Sequence, residues 1–192
     1  MTLRSKKAAI SVVLGISMAI SAHSECQAQR TMQFRKHITA DAVSGFTSKS
    51  DFGGGVAFGG YLLKGYWNTE ITAIPLSVHL STGDRMRYMQ ITAAGEYLYR
   101  ILTVRSRAFS LYGGGGVFLG WEFYDPMRKL PEEIDIGIAD GTFLYGVRPR
   151  IETEVFFCRN AALVIGTSIP VNLSSPVRKY HIELTAGIRL NI

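Results

Sequence analysis

Two cysteines, Cys26 and Cys158, are all that this chain of 192 residues holds, which excludes a disulfide-stapled scaffold. Charged residues are scarce at 19%, below the roughly 25% usual in soluble domains. No G-x-G-x-x-G or G-K-[S/T] occurs, so glycine clusters such as Gly113 to Gly116 have no phosphate-loop context. The four histidines lack metal-ligand spacing and no G-x-S-x-G elbow is present, which removes the usual signatures of a zinc site and a serine hydrolase. After residue 28 no apolar run free of charges or glycine clusters approaches the length of about 20 residues that a membrane-spanning helix needs. With 47% hydrophobic residues, disorder is excluded as well, and the length suits one domain.

What is present begins with an address. Arg4, Lys6 and Lys7 precede an apolar run from Ala8 to Ala22, followed by small and polar residues. This order of basic, apolar and small residues reads as a cleaved secretory signal over residues 1–28, leaving 29–192 as the mature domain. Cleavage after Ala28 or after Ser24 fits the small-residue rule equally. His23-Ser24-Glu25 ahead of Cys26 lacks the apolar pattern of lipoprotein processing. Removing three bases and Glu25 lowers the formal net charge from +6 to +4, so part of the basic excess belongs to the signal.

An exported chain without a spanning helix is either soluble or a β-barrel, and periodicity decides. From Arg178 to Ile192, Tyr180, Ile182, Leu184, Ala186, Ile188 and Leu190 alternate with Lys179, His181, Glu183, Thr185, Gly187 and Arg189. Between Gly141 and Phe157, Tyr145, Val147, Pro149, Ile151 and Val155 alternate with Arg148, Arg150, Glu152 and Glu154. Strands of this length with one clean apolar face and one charged face fit lipid outside and a polar lumen. Six more candidates lie near 32–46, 52–63, 66–80, 86–100, 107–123 and 161–173. The expected fold is all-β: an eight-stranded antiparallel up-and-down transmembrane barrel. A bulge is expected at Pro75, where the alternation slips. The Gly clusters are expected inside strands, making room for curvature and large lumenal side chains.

Arg148, Arg150, Glu152, Glu154, His181, Glu183 and Arg189 form the one charged constellation. Eight strands leave an interior barely wide enough for side chains, so these residues are expected to form a lumenal ion-pair plug rather than a catalytic cleft. The long connection from Tyr124 to Asp140 is acidic within a basic protein. Asp125, Arg128, Lys129, Glu132, Glu133 and Asp135 make it a candidate partner-binding loop. Dispersed pairs such as Arg105 with Arg107 read as bilayer-edge charges, with no direct nucleic-acid binding expected.

Several short stretches carry a family resemblance. They are Gly65-Tyr66-Trp67-Asn68-Thr69-Glu70, Ala94-Gly95-Glu96-Tyr97, Tyr112 to Gly116, Gly146 to Glu152, and the closing Ala186 to Asn191. In their order, across nearly the whole mature chain, the protein resembles the conjugal transfer protein TraO family of mobile elements in Gram-negative bacteria. The resemblance implies a component of a conjugative, type IV secretion-like transfer apparatus at the outer membrane, with no catalytic residues to carry over. The expected function is therefore non-enzymatic, without cofactor, metal or small-molecule substrate. Its expected partners are outer-membrane lipid and other apparatus subunits. Two alternatives are a general OmpA- or OmpW-like small barrel or pore unrelated to conjugation, and a lipid-acting barrel enzyme using Ser81, His79 and Asp84.

Overall fold

Alternation sets the architecture. In β1 (Lys36–Gly45), His37, Thr39, Asp41 and Val43 are buried while Lys36, Ile38, Ala40 and Ala42 are exposed. The same two-residue rhythm runs through β6 (Thr142–Phe156) and β9 (Glu183–Asn191). The remaining strands are β2 (Phe52–Leu62), β3 (Gly65–His79), β4 (Arg85–Thr103), β5 (Phe109–Tyr124), β7 (Ala161–Ser168) and the short β8 (Val171–Asn172). The computed structural model describes residues 34–45, 51–79, 85–104, 108–124, 141–158, 160–175 and 178–192, without the side chains of residues 78, 79, 85, 86 and 124. The signal-like segment, Ser81, Asp84 and the whole candidate loop (Asp125, Arg128, Lys129, Glu132, Glu133, Asp135) lie outside the described residues, as does the His79 side chain.

Each strand pairs antiparallel with its neighbours in the order β5-β4-β3-β2-β1-β9-β7-β6, and β5 pairs β6 to close the sheet on itself. β7 and β8 both pair β6 and form one stave, interrupted at Ile169 and Pro170. The result is a closed eight-stranded antiparallel barrel with no helix among the described residues. Phe34 and Ile192 lie at the same end, where their amides bond the Tyr61 and Lys36 carbonyls at 3.0 Å each. That end, here the terminal end, has the short connections 63–64, 104–108 and 157–160; the distal end has 46–51, 80–84, 125–141 and 173–182.

The barrel is inside-out relative to a soluble domain. Ile38, Val56, Ile71, Leu119, Val147, Ile151 and Ile188 are exposed on its outer face, while glutamates and arginines fill the lumen. Aromatic residues edge the apolar band at both ends. Trp67, Tyr97 and Tyr99 lie toward the terminal end, and Trp121, Phe123 and Phe143 toward the distal end. A closed barrel leaves no unpaired edge, and an apolar band edged by aromatic residues is the pattern that a lipid-facing barrel surface carries.

Two expectations need correction. No bulge forms at Pro75: β3 and β4 stay in register from Gly65 opposite Tyr99 to His79 opposite Arg85. The β2 pairing of β3 ends at Ala73, so beyond it β3 has no ladder partner on that side among the described residues. A residue without an N–H is tolerated there. The register shift lies instead between Arg100 and Leu102 of β4. The stave expected over 161–173 is also not continuous; Pro170, which cannot donate to the ladder, separates β7 from β8.

Candidate functional site

The inward face of β6 carries Arg148, Arg150, Glu152 and Glu154 at alternate positions, so one strand lays two guanidiniums and two carboxylates in a column along the barrel axis. β9 sets Arg189 and Glu183 facing the same space. β3 and β4 contribute Glu70 and Glu96. Every one of these residues is buried.

The column reads as a ladder of shared charges. Arg189 Nη1 meets Glu154 Oε1 at 3.2 Å and its Nη2 meets Glu152 Oε1 at 2.8 Å. Its Nε donates to Thr39 Oγ1 at 3.1 Å, and its guanidinium lies 4.5 Å from the centre of the Tyr66 ring. Arg150 Nη2 approaches Glu152 Oε2 at 2.8 Å, a charge contact without hydrogen-bond alignment. Arg150 Nη1 also donates to Glu70 and reaches Glu96 Oε2 at 3.3 Å. Arg148 donates to Glu96 Oε1 at 2.5 Å and to Glu70 Oε2 at 3.0 Å, and it lies 3.9 Å from Glu183 Oε2. At the far end His181 Nε2 and Glu183 Oε1 are 2.9 Å apart, and Ser168 donates to Glu183 Oε2 at 3.0 Å.

All seven residues of the predicted constellation therefore enter one network. What the sequence reading missed is the other half of it. Glu70 and Glu96 are the main acceptors for Arg148 and Arg150, and both already stood on the polar faces of their strands. Tyr61 donates to Glu154, Tyr66 to Glu152, and Tyr112 to Glu154 Oε2 at 3.1 Å. Tyrosine counts as apolar in a periodicity argument, which hid the hydroxyls.

Five carboxylates thus share three guanidiniums. Burial of an ion is costly unless charge and hydrogen bonds are supplied around it, and multidentate arginines supply both. Small residues clear the space. Gly116 faces inward between Glu96 and Arg148, and a Cβ there would stand 1.9 Å from the Gly95 carbonyl oxygen. Apolar clusters cover the ladder at either end. Tyr61, Tyr66, Leu98 and Tyr112 pack toward the terminal end, and Val43, Ile74, Leu76 and Tyr88 toward the distal end. Chemically, the arrangement braces β1, β3, β4, β6 and β9 against one another and fills the lumen. Among the described residues no group of three or more His, Cys, Asp or Glu is placed to hold a metal ion.

Solved structures similar to this chain are small outer-membrane barrels. Neisserial surface protein A is 14% identical over 83% of this chain and 97% of its own, with a TM-score of 0.57. The N-terminal β-barrel domain of Pseudomonas aeruginosa OprF is 12% identical over 83% and 98%, with a TM-score of 0.53. Yersinia pestis Ail, the attachment invasion locus protein, is 10% identical over 84% and 100%, with a TM-score of 0.52. At such identities the likeness is one of fold. No curated protein matches the chain in sequence. A family model does, over residues 27–192, which is the barrel and the segment leading into it. The chain belongs to the family of conjugative transposon protein TraO.

Proposed function

We propose that this protein is a non-enzymatic outer-membrane component of a conjugative, type IV secretion-like DNA transfer apparatus, exported by its N-terminal segment and partnered by bilayer lipid and other apparatus subunits. The observation that carries the membrane part is the inverted distribution of polarity. Isoleucines, valines and leucines cover the outside, and a buried ion-pair ladder occupies the inside. Family membership supports the conjugative part. The lumen, filled by ion-paired and hydrogen-bonded side chains between two buried apolar clusters, supports a scaffold or anchor role over a pore or an enzyme.

The test is a deletion of this reading frame from a conjugative element, complemented in trans, with transfer frequency scored alongside membrane fractionation. Loss of transfer, restored by complementation, with the protein in the outer-membrane fraction is the expected result. Unchanged transfer overturns the conjugative role, and recovery from the soluble periplasm overturns the location.

A further inference from the structure

The two ends of the barrel differ in charge. In sequence, the terminal-end segments 34–36, 63–64, 104–108 and 157–160 hold six basic residues and no Asp or Glu. The distal-end segments 46–51, 79–87, 125–140 and 173–182 hold seven of each sign. Arg105, Arg107 and Arg159 lie outside the described residues, so the structural argument rests on the others. Arg35 Nη1 donates to Asn160 Oδ1 at 3.2 Å, and Arg100 lies 5.9 Å from the Tyr112 ring. Lys36 and Lys64 are exposed. The nearest lumenal carboxylate, Glu154, is engaged by Arg189.

Depth gives these two lysines a partner. Lys36 pairs with Gly60, and Gly60 pairs with Trp67, so Lys36 stands in the same register row as a girdle tryptophan. At about 4.8 Å per strand the separation is roughly 10 Å. Lys64 lies in the turn just ahead of β3, three positions before Trp67. Girdle aromatics sit at headgroup level, and lysine stems extend along apolar surface to bring the ammonium to the same level.

We infer that the terminal-end rim selects anionic phospholipid headgroups through Lys36 and Lys64, while the distal end does not. The inference rests on the membrane-spanning reading above. It fixes which end of the barrel prefers an acidic leaflet.

The two tryptophans provide an end-specific measurement. Trp67 and Trp121 are both exposed on the outer face, one toward each end. Trp121→Phe leaves a reporter at the terminal end, and Trp67→Phe leaves one at the distal end. Each variant is refolded into vesicles, and its fluorescence quenching by brominated phosphatidylcholine is compared with quenching by brominated phosphatidylglycerol. Quenching by the neutral lipid at both positions is expected from the spanning reading alone; its absence overturns that reading. The expected preference for phosphatidylglycerol at Trp67 is roughly five- to thirtyfold, the factor that one or two basic residues supply near an anionic headgroup. It should fall with added salt and vanish in the Lys36→Gln, Lys64→Gln variant, with no preference at Trp121. Normal quenching by the neutral lipid with equal binding of both lipids at Trp67 overturns the selection and leaves the spanning reading intact. If such vesicles then bind an oligonucleotide in a Lys36- and Lys64-dependent manner, the rim serves a polyanionic macromolecule and the lipid proposal is likewise overturned.

Discussion

Arg189 on β9 reaches Glu152 on β6 with Nη2 2.8 Å from Oε1, and the same guanidinium lies against the Tyr66 ring of β3. One side chain thereby ties three staves that are not all neighbours in the sheet. Removing one member of a buried pair strands the other charge, at a cost of about 3–5 kcal/mol. Arg189→Leu should destabilise the barrel by that order, since it leaves Glu154 with tyrosine hydroxyls alone and takes from Glu152 one of its two guanidiniums. Glu152→Gln should cost less, because Arg189 keeps Glu154 and Thr39. Denaturant unfolding from vesicles, followed by the change in gel mobility between unheated and boiled protein, measures both. Equal stability of Arg189→Leu and wild type would show that the ladder does not brace the barrel.

A lumen filled in this way should not conduct. The purified protein in planar bilayers should give no steady ion current, because Arg148, Arg150 and Arg189 and their glutamates occupy the interior between two apolar clusters. Steady single-channel openings would contradict the closed lumen and favour a pore.

The outer face admits a depth test. Ile188 is 52% exposed and lies midway along the β1–β9 pairing opposite Ala40, whereas Ile192 lies at the terminal rim. An arginine near the bilayer midplane costs roughly 2–4 kcal/mol, falling to roughly 0–1 near the interface. Ile188→Arg should therefore lower the unfolding free energy in vesicles by the larger amount and Ile192→Arg by the smaller. Equal costs for the two would overturn the placement of the band.

How much of this was legible in sequence depended on side-chain contrast. β6 and β9 announced both faces, because arginines and glutamates alternate there with isoleucine, valine and tyrosine. β2 did not, since Gly53, Gly54, Gly55, Gly59 and Gly60 carry no hydropathy signal on either face. The ladder was half visible for a different reason. Arg148 and Glu70 stand 78 positions apart and meet only because the register carries β3 through β4 and β5 to β6. Register is set pair by pair, by the pattern of each strand and the geometry of each turn, so a contact carried across three pairings is not read from any one strand.

Two glycines that look alike in sequence should behave differently. Gly95 faces outward, and a Cβ there meets nothing within 4 Å. Gly116 is its inward counterpart on the next strand, where a Cβ would strike the Gly95 carbonyl at 1.9 Å. Gly116→Ala should destabilise by about 1–3 kcal/mol through overpacking, and Gly95→Ala should be close to neutral. Thermal midpoints of the gel-mobility transition distinguish the two. A neutral Gly116→Ala would mean that the lumen yields where it is drawn tightest.

The connection between β5 and β6 lies at the distal end and is the longest in the chain. Its residues Asp125, Glu132, Glu133 and Asp135 outnumber Arg128 and Lys129, and Met127, Leu130, Ile134, Ile136 and Ile138 are interspersed among them. A loop kept only for solvation gains nothing from so many apolar side chains, while a partner surface gains both desolvated area and charge selectivity from the mixture. The barrel itself does not need it, because β5 and β6 stay paired from Phe109 opposite Val155 to Glu122 opposite Thr142. Replacing Arg128 through Ile138 with a short Gly-Ser turn should accordingly leave folding and heat-dependent gel mobility unchanged while lowering conjugative transfer. Charge reversal of Glu132 and Glu133 to lysine should reproduce the defect if an electrostatic partner is lost, and should not if the apolar residues dominate. Wild-type transfer from a correctly inserted loop-replacement barrel would remove this loop from the mechanism and move the search for the apparatus contact to the basic rim at the opposite end.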